Sequence, residues 1–288
     1  WLYLPGRAEG AAPGPGIVMA HGFSATKEMG LDGYAAVFRQ AGLAVLAYDH
    51  RSLGASDGEP RQVINPWAQA RDYRRALDWL AARPEVDERR LGVWGSSYSG
   101  GEALVVGAVD DRVRAIVANV PFVGMFGDRD GADERYAVLR DALLDEEGGG
   151  PADATEEPTG PFAVVSDATD GDSGLRVFLP QPESAAWFVD VGRRPGTRWQ
   201  NRVWLRRAFG TTPPFDPSVA IAHLRAPLLM VVATRDDVAD SGLGLQAFEL
   251  AREPKELVMI DGDHYAPYSG DGLARASTAA RDFLLRWI

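Results

Sequence analysis

The sequence contains no cysteine. That excludes disulfides, thiolate nucleophiles and cysteine-ligated zinc or iron–sulfur centres. Lysine is nearly missing too: Lys27 and Lys255 are the only two, and arginine supplies the other basic side chains. Acidic residues number 41 against 30 basic ones, for a net charge of −11. A nucleic-acid partner would need a basic face, so that class is set aside. No apolar run approaches the ~18 residues that mark a membrane span, and no membrane partner is expected. Trp1 to Pro5 has neither the basic flank nor the long apolar core of a secretory signal, so a cytoplasmic protein is expected. The same segment already reads as a strand, and more chain is expected upstream of Trp1.

What is present is ordinary for a globular protein: 288 residues, 45% hydrophobic and 25% charged. That length suffices for one α/β core and an insertion. Ile17 to Ala20 is a short apolar run that reads as a buried strand. Tyr34 to Ala41 reads as a helix ended by Gly42. Leu43 to Tyr48 is a second strand. Trp67 to Ala82 follows as a helix, with Ala70, Tyr73, Leu77 and Leu80 at helical spacing and Pro66 near its start. Leu91 to Trp94 is a third strand, Gly101 to Ala108 a buried helix, and Val113 to Val120 a fourth strand. The alternation resumes with a strand at Leu228 to Ala233, a helix near Leu243 to Arg252, a strand at Leu257 to Ile260 and a closing helix at Leu273 to Trp287. This order predicts a mostly parallel, doubly wound sheet covered by helices on both faces.

Between Pro121 and Pro217 no such alternation is legible. Residues 121–216 are therefore read as an inserted cap, with 1–120 and 217–288 forming the core. Asp145 to Gly160 is acidic and rich in glycine and proline, which predicts an exposed, mobile loop. Around it stand Phe122, Phe126, Phe162, Phe178, Trp187, Phe188, Trp199, Trp204, Phe209 and Phe215. Rings at that density demand a surface to bury them.

The segment that points most directly to chemistry is Gly95-Ser96-Ser97-Tyr98-Ser99-Gly100-Gly101, placed directly after a strand. A strand that turns sharply into a helix strains the residue at the bend and needs small neighbours around it. It also presents that residue's side chain beside the free N–H groups of the helix start. Ser97 has Gly95 two before it and small Ser99 two after it. Ser96 would have bulky Trp94 in the first of those places, and Ser99 lies too far into the helix. The common G-x-S-x-G pattern has glycine where Ser99 stands.

A serine hydroxyl needs a base. Of the four histidines, His21 and His50 follow the first two strands, His223 precedes the strand at Leu228, and His264 follows the last strand. Sites in doubly wound sheets form at the carboxyl ends of strands, and the chain order Ser, Asp, His suits His264. His223 reads as structural. The acid that orients the base should follow Leu228 to Ala233, where Asp236, Asp237 and Asp240 qualify by type. Asp236 is preferred because a tight turn after Ala233 would aim it at His264, and Asp237 is the rival. A developing oxyanion would meet the backbone N–H of Tyr98, after the nucleophile, and that of Phe23, after His21-Gly22. Asp49-His50-Arg51-Ser52-Leu53-Gly54-Ala55-Ser56 is read as structural, with Asp49 and Arg51 tying down the loop. Lys27-Glu28 is read as a solvated helix start.

Together, His21-Gly22-Phe23, the loop Asp49 to Ser56, the elbow Gly95 to Gly101, Asp236 and His264 resemble the α/β-hydrolase superfamily. The elbow is similar to that of the X-Pro dipeptidyl-peptidase and cocaine-esterase branch. Ala20 to Met29 resembles stand-alone bacterial hydrolases and fungal polyketide transferases. The resemblance covers roughly residues 14 to 120 and 217 to 288, and leaves out the insertion. It implies an α/β-hydrolase fold, acyl chemistry on a small-molecule ester or thioester, and no cofactor or metal. An acyltransferase with the same triad, or an amide or peptide hydrolase, are the alternatives. A dehalogenase would carry aspartate at the elbow instead of Ser97.

Overall fold

The computed structural model describes residues 1–6, 10–124, 130–145, 157–167, 174–208 and 214–288. Six strands form the parallel part of a seven-stranded sheet: β2 (Gly14–Ala20), β3 (Ala44–Tyr48), β5 (Val86–Ser96), β6 (Val113–Asn119), β10 (Leu228–Ala233) and β11 (Lys255–Ile260). The short strand β1 (Leu2–Tyr3) adds antiparallel to β3 at one edge, and the order is β1-β3-β2-β5-β6-β10-β11.

Successive strand residues point to opposite faces, so each strand feeds two cores. Ile17, Met19, Trp94, Val117, Leu229 and Val231 pack against α1 (Leu31–Gln40) and α7 (Gly270–Trp287). Their neighbours Val18, Val93, Ile116, Leu228 and Met230 pack on the other face. There they meet α2 (Pro66–Ala81), α3 (Tyr98–Val109) and α6 (Ser241–Leu250). The Asn65 side chain caps α2 by accepting from the Ala68 N–H at 3.3 Å, and Pro66 occupies the first turn, where a missing N–H costs nothing.

Most boundaries fall within a few residues of those predicted. β5 is the exception, starting at Val86 rather than Leu91. Its early part is the polar run Asp87-Glu88-Arg89-Arg90, which has no strand-like pattern to read.

The stretch 121–216 does hold regular structure, contrary to its appearance in the sequence. Helix α4 (Ala132–Leu144) lies on the core, with Tyr136, Leu139 and Leu143 buried in the same cluster as α2 and α3. A second sheet has four strands. It contains β4 (Val63–Ile64), β7 (Thr159–Val165), β8 (Val177–Leu179) and β9 (Val203–Leu205), with α5 (Pro182–Gly192) after β8. The strand order is β4-β9-β7-β8, and three of the four, at two or three residues, are too short for a period-two pattern to register, while the seven-residue β7 starts on the turn-like Thr159-Gly160-Pro161. Of the acidic segment 145–160, Thr159 and Gly160 are strand and not loop, while residues 146–156 lie outside the described residues.

The rings concentrated in this stretch largely find burial. Phe162, Phe178, Trp187, Phe188 and Trp199 join Phe23, Tyr98 and Tyr265 in a third apolar cluster between the two sheets. Phe215 packs edge-on against Trp67 instead, at 5.5 Å. Phe126 and Phe209 lie outside the described residues. Among the described residues, no helix is long and apolar enough to cross a membrane.

Candidate active site

Strand β5 ends at Ser96 and α3 begins at Tyr98, so Ser97 alone makes the reversal. Its φ of 56° and ψ of −118° lie outside the regions L-residues favour. The backbone around it is pinned. The Ser97 N–H donates to the Asn119 carbonyl at 2.8 Å, and its own carbonyl accepts from Phe122 at 2.8 Å and Gly100 at 2.9 Å. A Cβ at position 95 would sit 1.9 Å from the Ser99 carbonyl oxygen, so the turn admits only glycine there. The other two serines of the segment are buried and engaged. Ser96 shares a 2.5 Å hydrogen bond with the Tyr268 hydroxyl, and Ser99 is held by groups behind the turn.

His264 follows β11 and places Nε2 2.9 Å from Ser97 Oγ. Its Nδ1 lies 2.7 Å from Asp236 Oδ2. The carboxylate can only accept, so Nδ1 carries the proton and Nε2 is left to accept from the serine hydroxyl. Asp236 Oδ1 accepts from the N–H groups of Val238 and Ala239, at 2.9 and 2.7 Å, in the turn after β10. Those two bonds leave Oδ2 turned toward the imidazole. Asp236 and His264 are 6% and 2% exposed, so solvent competes little for either. Asp237 is exposed, and its carbonyl accepts from Gln181. Asp240 caps α6 through the Leu243 N–H. The three residues named from sequence are therefore brought together, and the two rival acids are turned to other tasks.

A cavity of about 250 Å³ opens beside Ser97 and His264. Phe23 and Tyr98 both line it. The Phe23 ring stacks on Phe178 at 4.5 Å and meets Tyr98 edge-on at 5.6 Å. Trp187, Phe188 and Tyr265 continue the wall. Gln181 supplies a polar group, and among the described residues no Asp, Glu, Lys or Arg lines the cavity. Tyr265 donates to Ser184 Oγ at 2.9 Å, which links the loop carrying His264 to α5. Burial pushes the hydroxyls of Tyr98, Tyr265 and Tyr268 well above the ordinary tyrosine range, so all three stay neutral. Among the described residues, no group of three His, Asp or Glu side chains is set to hold a metal ion.

One sequence reading is overturned here. Lys27 is not solvated but 7% exposed, and its Nζ lies 2.6 Å from Asp49 Oδ2. α1 starts only at Leu31, so the segment is a buried turn rather than a helix start. Asp49 does tie down its loop, accepting from the backbone N–H groups of Lys27 at 2.7 Å and Ala55 at 2.8 Å. Burial works against the Asp49 carboxylate, but the Lys27 ammonium and those two donors outweigh it and hold its carboxyl below the usual range. Arg51 forms a two-pronged pair with Asp72 on α2. His223 stacks flat on Tyr136 at 3.8 Å, as a structural histidine would. Gln181, Ser184 and Tyr265 were not singled out from sequence, because nothing in their spacing relates them to Ser97.

The profile of the family "X-Pro dipeptidyl-peptidase (S15 family)" matches residues 1–266. The chain is 36% identical to the polyketide transferase af380 of Aspergillus fumigatus, over 94% of this chain and 88% of that one. It is 28% identical to the thiohydrolase aneE of Aspergillus aculeatus, over 89% and 78%. The crystal structure of the α/β hydrolase GrgF from Penicillium sp. sh18 superposes with a TM-score of 0.74 at 27% identity, covering 100% of this chain and 93% of that one. The chain is thus a serine hydrolase of the α/β-hydrolase fold and belongs to the X-Pro dipeptidyl-peptidase (S15) family.

Proposed function

We propose that the enzyme cleaves a carboxylic ester or thioester of a small to medium hydrophobic substrate through an acyl-enzyme. Ser97 is the nucleophile, His264 the base that takes its proton, and Asp236 the group that fixes the imidazole tautomer. The observation that carries the reading is the unbroken run from Ser97 Oγ to His264 at 2.9 Å and on to Asp236 at 2.7 Å. As Ser97 attacks the carbonyl carbon, the carbonyl oxygen takes up negative charge and rests on the Phe23 and Tyr98 amides. The tetrahedral species collapses when His264 gives its proton to the departing alcohol or thiol. Water then attacks the acyl-enzyme with His264 again as base.

The described parts of the insertion that roof the site in this reading are 157–167 and 174–205. Phe178, Leu179, Trp187 and Phe188 from those parts line the cavity, whereas α4 packs on the core. Walls that are apolar and uncharged among the described residues suit an uncharged acyl group. They do not suit the free ammonium of an X-Pro peptide, which would need a carboxylate facing it. Ser97→Ala should lower turnover of p-nitrophenyl esters by at least about 10³-fold. Wild-type turnover in that variant would remove Ser97 as nucleophile.

A second reading is acyl transfer to an alcohol or amine. It is favoured by the enclosing apolar walls and by the 36% identical relative named a polyketide transferase. Added acceptors should then yield new esters or amides in competition with the free acid.

A further inference from the structure

Three features lie outside the catalytic reading: serine at position 99, His50 in the loop after β3, and Glu102 on α3. In the structure they form one buried cluster behind the elbow. Ser99 and Glu102 are 0% exposed and His50 is 1% exposed. The Ser99 hydroxyl has one proton and two acceptors within reach, the His21 carbonyl at 2.5 Å and Glu102 Oε2 at 2.9 Å. The shorter contact assigns the proton to His21. The His50 Nε2–H then faces both Ser99 Oγ at 2.7 Å and Glu102 Oε2 at 3.2 Å, and the carboxylate keeps the proton on that nitrogen.

The next peptide is pinned as well. His21 Nδ1–H donates to the Gly22 carbonyl at 2.9 Å, and the Ala25 N–H donates to the same oxygen at 3.2 Å. His21 Nε2 accepts from the His50 backbone N–H at 3.1 Å, so the imidazole is clamped at both nitrogens. Burial, with a push from nearby His50, holds His21 far below the ordinary imidazole range, which keeps Nε2 free to accept. A trans peptide is planar, with its C=O and N–H opposed. Fixing the Gly22 carbonyl therefore fixes the direction of the Phe23 N–H. A buried carboxylate loses more hydration than an apolar side chain of the same size, so stability alone is a poor reason for Glu102.

We propose that Ser99, braced by His50 and Glu102, is a positioning residue that holds the His21–Phe23 turn and so aims the Phe23 amide at the substrate oxygen. This rests on the ester-cleaving reading above, in which that amide is an oxyanion donor. Glycine, usual at this point of an elbow, has no side chain to do it. The brace acts on the developing charge more than on the ground state, so its loss falls on kcat and not on KM.

The test uses the full chain and p-nitrophenyl butyrate. Ser99→Ala should lower kcat about 10- to 100-fold, since the amide remains but loses its aim. KM should change less than about twofold. His50→Ala should match it, and His50→Gln, which keeps an N–H donor, should recover most of the loss. The double variant S99A/H50A should be no slower than either single, because the two act as one unit. A folded Ser99→Ala with wild-type kcat, or with a loss confined to KM, overturns the proposal. If Ser99→Ala does not fold, Ser99→Gly and the His50 pair are read by the same criteria, and equal kcat for His50→Ala and wild type overturns it. Retained turnover in Ser97→Ala would instead sink the underlying reading, so the two failures are distinct.

Discussion

A carboxylate one position away can be useless, and Asp236 and Asp237 illustrate why. Both are aspartates in one turn, and no feature of type or spacing separates them fully. What separates them is the backbone, which gives two N–H donors to Asp236 Oδ1 and leaves its other oxygen for His264. Asp236→Asn should lower kcat by up to about 10⁴-fold by forcing the wrong tautomer. Asp237→Asn should leave kcat near wild type, and steady-state kinetics on one ester compares them. Ser97 and His264 were legible because a strained bend demands small neighbours, and because the last strand's end is where a base must stand. Lys27 was misread for the opposite reason: beside Glu28 it looks solvated, and its second, closer partner lies 22 residues away. That pair has a pH signature. Asp49 titrates lower when folded than when unfolded, so on acidification the unfolded chain takes up the proton first. Its stabilisation is complete above the ordinary carboxylate range and is lost as pH falls through the lowered one. Asp49→Asn should cost about 1–3 kcal/mol at neutral pH, by taking from the buried Lys27 Nζ the closer of two carboxylates, Asp49 at 2.6 Å and Glu28 at 3.0 Å. The gap in melting temperature to wild type should begin to narrow only as pH falls below the ordinary carboxylate range, and should close once pH has passed through the lowered titration of folded Asp49.

Helix α5 shows what one element can join. Pro182 starts it, and its buried face carries Ser184, Phe188 and Val191. Ser184 accepts from the Tyr265 hydroxyl, and Trp187 stacks on Tyr265 at 5.0 Å and tilts against Tyr268 at 5.1 Å. Tyr265 is the neighbour of His264, so the helix that lines the cavity grips the loop that carries the proposed base. Tyr265→Phe should cost about 1–3 kcal/mol, because it leaves the Ser184 hydroxyl buried without its partner. KM for hydrophobic esters should rise several-fold while saturated turnover changes less, since the cavity wall loosens and the reacting groups stay. A thermal melt and a KM series across acyl chain lengths check both. The core strands were legible because each is an apolar run between turn residues. Helix α5 and strands β8 and β9 were not: two are three residues long, and their rings pack on partners distant in sequence.

Across the whole molecule, the sheet order decides where chemistry can occur. Ser97 follows β5 near the middle of the sheet, Asp236 follows β10, and His264 follows β11 at the edge. All three leave the same, carboxyl end of a parallel sheet, where side chains from separate strands converge. This much was legible from the alternation of elements and the order Ser, Asp, His. The shape of the cavity was not, because it depends on how the small sheet and α5 settle over that end. The same order has a temporal side. The proposed nucleophile and its proton acceptor are 167 residues apart, and among the described strands β11 pairs with β10 alone. A ribosome therefore delivers the serine long before the imidazole arrives. Until that edge strand docks, the nascent polypeptide carries an unarmed hydroxyl, inert toward whatever it meets.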